Sequence, residues 1–124
     1  KGVEMLSDIN FIFISKINDI LGINTKIRNS KDFDLQEGKS ERILGICKDL
    51  NATCYISGIS AKQYLDVNIF ELEGIEVRWM EYLNYPVYHQ CFDRFIHEVS
   101  IIDLLFNEGK FSRNYMKSFI KTTS

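Results

Sequence analysis

The segment Thr53–Asp66, TCYISGISAKQYLD, changes character twice along its length. Thr53, Cys54, Tyr55 and Ile56 are β-branched, aromatic or small apolar residues, the composition of a short buried strand. Ser57 and Gly58 interrupt that run, and Ser60 with Gln63 makes a Ser-x-x-Gln pattern that predicts a capped helix start. The segment therefore reads as strand, tight Ser-Gly turn and helix. In α/β domains such turns lie at the carboxyl ends of strands, where ligands bind. A helix N-terminus there also offers unpaired N–H groups to an anion. The same pattern is equally an ordinary β-α connection in proteins that bind nothing at that place.

Upstream, Ser7 and the helical spacing of Ile9, Ile12, Phe13, Ile17, Ile20 and Leu21 predict a helix over Asp8–Leu21, with Gly22 as its left-handed stop. Phe11 and Ile14 widen its apolar stripe, so it is expected to be mostly buried. Ile23–Arg28 alternates Ile, Thr and Ile with polar residues, which predicts a half-buried strand, followed by a polar loop over Asn29–Gly38. Ser40 is expected to cap a second helix running to about Leu50, with Ile43, Leu44, Cys47 and Leu50 on one face. Cys47 on that stripe reads as a small buried hydrophobe. Arg42 and Lys48 become phosphate ligands only if the fold brings them to the Ser57-Gly58 turn, and otherwise are solvated charges.

Downstream, Asn68 and Gly74 bracket a short helix, and Ile75–Met80 (IEVRWM) alternates as a strand. Helices between successive strands imply a parallel sheet. The expected fold is α/β: a short parallel sheet of about three strands with helices packed on it, then an aromatic loop and C-terminal helices, all in one domain. The loop, Glu81–Val99, sets Tyr82, Tyr85, Tyr88, Phe92 and Phe95 among His89, Gln90 and Asp93, and holds the only proline, Pro86. Aromatics interleaved with polar groups can stack on a base or sugar, or can simply wrap a loop against the sheet. Ser100 then caps a helix through Phe106, with Asp103 at the N3 position either capping or serving as a functional acid. Ser112 is expected to start a last helix through Ile120, with a frayed tail from Lys121.

Composition narrows the classes. With 124 residues, 45% hydrophobic and 26% charged, the chain is expected to fold around a core. A net charge of −2 with mixed signs argues against general nucleic-acid binding. No apolar run approaches the roughly 18 residues of a membrane span. The opening Lys1-Gly2-Val3-Glu4 lacks a leader-type cleavage site, and three widely spaced cysteines do not suggest a disulfide framework, so the cytoplasm is the expected location. No CxxC occurs and His89 and His97 have no recognised ligand spacing, so no metal site is expected. A start without methionine, inside polar helix-like sequence, is that expected of a piece of a longer protein.

Four segments in register carry a resemblance: Arg42–Lys48 (RILGICK), Tyr55–Asp66 (YISGISAKQYLD), Tyr85–Gln90 (YPVYHQ) and Ser100–Gly109 (SIIDLLFNEG). In order and spacing they resemble the WbqC-like family of bacterial proteins, over nearly the whole chain. The chain looks like the carboxyl-terminal half of such a protein. The resemblance implies a place in surface-polysaccharide (O-antigen) synthesis, with a transferase acting on a nucleotide-linked sugar precursor as the enzymatic reading. The missing half of the family pattern faintly resembles HIGH-type nucleotidyltransferases, an analogy of fold only.

Under that reading Ser57, Gly58, Ser60 and Lys62 hold an anionic group, and Tyr64 and Asp66 line the turn. Tyr85, Tyr88 and Gln90 contact a sugar or base, and Asp103 or His89 is the acid–base residue. The other reading, from a different class, is a non-catalytic binding or assembly module of a polysaccharide-synthesis complex. A half-length chain is also expected to self-associate through the surface its missing half would cover.

Overall fold

A computed structural model describes residues 5–91 and 93–119. The chain divides into two compact units, one formed by Lys26–Leu83, the other by the described residues up to Thr25 and from Asn84 onward. Among the described residues no helix is long and apolar enough to cross a membrane.

The Lys26–Leu83 unit is built on the Thr53–Asp66 segment. Helix α2 (Lys39–Asp49) leads into strand β1 (Cys54–Ser57), a 3₁₀ turn (Ile59–Gln63), helix α3 (Asn68–Leu72) and strand β2 (Glu76–Trp79). The two strands pair in parallel, with Cys54 opposite Glu76 and Ser57 opposite Trp79. The helix between them forces that direction, since a short hairpin could give only an antiparallel pair. The core is Cys47, Leu65, Phe70 and Ile75, and Tyr55 stacks on Phe70 at 5.6 Å. Burial also pushes the Cys47 thiol pKa upward, in keeping with a packing role rather than a nucleophile's. Lys48 pairs with Glu73 at 2.7 Å, fastening α2 to the end of α3. Gly74 takes the left-handed conformation (φ 71°) that turns α3 back so that the Ile75 N–H donates to the Phe70 carbonyl.

Several local expectations are corrected here. Among the described residues the sheet has two strands, not three: Ile23–Arg28 has no regular structure and pairs with neither. Its alternation specifies a face, but a strand also needs an edge to bond to, and its start is occupied instead in ending a helix, with the Ile23 N–H on the Asn18 carbonyl. Ser60 and Gln63 do not form a capping box. The turn is 3₁₀, with Gly58 at its cap position and no side-chain cap bond. It stops at Gln63 because Leu65 must turn into the core. Ser40 does not cap α2, which follows Gly38. The Ser40 hydroxyl instead accepts the Asp66 N–H at 2.9 Å and donates to the Tyr64 carbonyl at 3.4 Å. Asn68 does not cap α3 either; its N–H donates to the Asp66 carboxylate.

The other unit holds helix α1 (Leu6–Leu21), the irregular aromatic loop, helix α4 (Ile101–Glu108) and a 3₁₀ segment (Gly109–Tyr115). Gly22 ends α1 in the left-handed region, as expected. Ser7 does not cap α1: the cap position is Met5, with no side-chain bond. The expectation of a buried α1 also fails: only Leu21 is buried, while Phe11, Phe13, Ile14 and Ile20 are each half or more exposed. Helical period identifies an apolar stripe but not what covers it. Ser100 caps α4 through the Ile102 N–H. Ser112 begins no α-helix; it is fully buried, its hydroxyl bonded to the Gly109 and Leu104 carbonyls. Phe92, Ile120 and the tail from Lys121 lie outside the described residues.

Candidate functional site

In the Lys26–Leu83 unit, parallel pairing puts the carboxyl ends of β1 and β2 on one edge, the position where α/β sheets take ligands. Ser57 ends β1, buried, and its carbonyl accepts the Met80 N–H at 2.8 Å, which holds the two strand ends together. Gly58 follows, partly exposed, and Ser60 and Lys62 stand exposed on the 3₁₀ turn. The Lys62 ammonium lies 5.3 Å from the centre of the Trp79 ring. A Cβ built on Gly58 would sit 3.9 Å from the Tyr82 hydroxyl, so Tyr82 reaches over the same turn. The structure thus gathers Ser57, Gly58, Ser60 and Lys62 with Trp79 and Tyr82: hydroxyls, one cation and two aromatic rings.

The remaining members of that set are spent differently. Tyr64 is half exposed beneath the Lys39 ammonium, 5.2 Å from its ring centre. Asp66 accepts the Asn68 N–H and is part of the α3 start. Arg42 donates to the Gln36 carbonyl, and Lys48 is paired with Glu73. A five-residue 3₁₀ turn supplies no helix dipole of consequence, so any anion here would be held by Lys62 and hydroxyls.

The second group of sequence-derived residues lies in the other unit and closes on itself. The Tyr88 hydroxyl donates to Asp103 Oδ2 at 2.6 Å. Gln90 is buried, and its amide nitrogen donates to the same Asp103 oxygen and to the Ile96 carbonyl, each at 3.0 Å. Its amide oxygen accepts the Ile96 N–H at 2.8 Å. Tyr88 packs edge-on against Phe95 and Tyr115. Desolvation, and then the bond to Asp103, push the Tyr88 phenol pKa upward. Tyr88 is therefore a hydrogen-bond donor at neutral pH and not a source of phenolate.

His89 is exposed, and the hydrogen bond it contributes is from its backbone N–H to Glu108. Tyr85 lies beneath the Lys117 ammonium at 5.3 Å. A cavity of about 320 Å³ opens beside Tyr88, His89, Gln90, Cys91, Asp93 and Phe95. Among the described residues no three His, Cys, Asp or Glu side chains are placed to hold a metal ion.

Sequence reading named Tyr88, Gln90 and Asp103 but not the bonds between them, because those bonds join positions 13 and 15 residues apart across an irregular loop. It missed Trp79 as a site residue because a strand pattern accounted for it. Parallel pairing with β1 was the signal available, since it sets the last residue of β2 beside Ser57.

Comparison with known proteins agrees with the four-segment resemblance. A model of the WbqC-like protein family matches residues 1–115. The Uncharacterized protein Rv1507c of Mycobacterium tuberculosis is 40% identical over 112 residues, which cover 90% of this chain and 48% of that protein. The chain thus spans about half the length of the curated relative it matches. No solved structure matches it. The chain belongs to the WbqC-like protein family.

Proposed function

We propose that this chain supplies a binding surface for a nucleotide-linked sugar, within a longer WbqC-like protein that transfers a group onto such a precursor during bacterial surface-polysaccharide (O-antigen) synthesis in the cytoplasm. The observation that carries the reading is the carboxyl edge of the β1–β2 pair, where Ser57, Gly58, Ser60 and Lys62 lie beside Trp79 and Tyr82. Lys62 neutralises a phosphate, hydroxyls hold its oxygens, and the rings stack on a base or sugar. Taken by itself, the other unit offers exposed His89 as an acid–base candidate, while Tyr88, Gln90 and Asp103 hold its loop in shape.

Calorimetric titration of the chain with nucleotides, nucleotide-linked sugars and the matching free sugars tests it. Binding that needs the phosphate, and that weakens roughly tenfold in Lys62→Ala and again in Tyr82→Ala, is the expected result. Equal affinity for the free sugar, or indifference to both changes, refutes it. The exposed apolar face of α1 favours a second reading, a non-catalytic assembly module, whose mark is partner capture that survives Lys62→Ala.

A further inference from the structure

The apolar face of α1 has structure of its own. At about 100° per residue, Ile9, Ile12, Phe13, Lys16 and Ile20 fall on one side of the helix, away from buried Leu21. A groove of about 390 Å³ runs between α1 and α4, walled by Phe13, Lys16 and Ile20 on one side and by Ile102, Leu105 and Phe106 on the other. Phe106 is 86% exposed and Phe13 56%, so the patch carries projecting rings as well as a recess. An interface between identical copies needs both features on one patch, since each copy must fill the other.

The charges select the occupant. Lys16 lies within the apolar stripe, and its nearest acid, Asp19, is 3.7 Å away with both side chains largely solvated. A partner that covered the stripe with apolar groups alone would strip water from that ammonium without replacing it. Asp8 and Lys16 lie four residues either side of Ile12, on one ridge of the helix. Two copies of α1 crossing antiparallel at Ile12 therefore bring each Asp8 to the Lys16 of the other copy, twice by symmetry.

We infer that the chain pairs with a second copy of itself through an antiparallel α1–α1 contact centred on Ile12, which covers the exposed rings of Phe13 and Phe106. The inference does not rest on the ligand-binding reading. Sedimentation velocity over a concentration series tests it, with circular dichroism confirming that each variant is folded. The expected result is a dimer whose dissociation constant rises roughly 100-fold in Phe13→Glu and in Phe106→Glu, both at largely exposed positions. Asp8→Lys and Lys16→Asp each weaken it roughly tenfold, and the double exchange restores it to within about threefold. A monomer at every concentration overturns the inference. A dimer indifferent to both phenylalanine changes, or a charge exchange that fails to restore pairing, overturns it as well.

Discussion

Replacing Gln90 with leucine separates a structural role from a binding role at the centre of the loop group. The orientation of the Gln90 amide is set by its neighbours. Its nitrogen faces two acceptors, Asp103 Oδ2 and the Ile96 carbonyl, while its oxygen faces a donor, the Ile96 N–H. Leucine keeps the volume and removes these three hydrogen bonds and a longer fourth, 3.4 Å from the amide nitrogen to the Tyr88 hydroxyl. At about 1 kcal/mol net for each of the three shorter bonds the loss is about 3 kcal/mol, reduced to about 2 because the exposed Ile96 can recover water.

Gln90→Glu adds a charge test. One carboxylate oxygen would replace the amide nitrogen 3.0 Å from Asp103, and the like charges raise the proton affinity of the pair in the folded state. The folded chain then holds more protons than the unfolded chain above about pH 4.3, so the stability of this variant falls as pH rises from there and recovers on acidification. Urea titrations followed by far-ultraviolet circular dichroism measure both effects. The single tryptophan, Trp79, belongs to the Lys26–Leu83 unit, and its fluorescence follows that unit. A Gln90→Leu change below about 0.5 kcal/mol, with ligand affinity lost, refutes the structural assignment and makes Gln90 a ligand contact.

Two further outcomes follow from individual groups. Ser40→Ala removes the buried hydroxyl that accepts the Asp66 N–H and is expected to cost about 1–2 kcal/mol. Trp79 fluorescence during denaturation reads it, and an unchanged midpoint refutes the link between α2 and the turn into α3. The raised pKa of Tyr88 means that its contribution to stability is intact below about pH 10, the ordinary tyrosine value, and is lost as pH rises through the folded-state value. Ultraviolet titration should show a phenol that ionises late and is missing in Tyr88→Phe; a Tyr88 that ionises ahead of the exposed tyrosines contradicts its environment.

What the sequence revealed follows from what each signal measures. Strand composition at Thr53–Ile56, alternation at Ile75–Met80 and a helix between them gave β1, β2 and their parallel direction, because chain connectivity limits how two strands separated by a helix can pair. The same alternation in Ile23–Arg28 misled, since it says nothing about a free edge. Hydroxyl caps were legible at Ser100 and not at Ser40, because a serine satisfies whichever backbone group the tertiary fold brings near. The apolar period of α1 was correct as helix and wrong as core.

The two candidate groups differ in how their polar atoms are used, and that difference bears on function. Asp103, Tyr88 and Gln90 satisfy one another and the Ile96 backbone, so a ligand could engage them only by replacing bonds the loop needs for its shape. Ser60 and Lys62 make no side-chain hydrogen bond or ion pair among the described residues, although both stand at the strand-end edge with Trp79 and Tyr82. A phosphate there would break no side-chain hydrogen bond or ion pair of Ser60 or Lys62 among the described residues. The TCYISGISAKQYLD segment is for that reason the better place to look for the chemistry of the chain, and Tyr88, Gln90 and Asp103 are better understood as the frame of the loop.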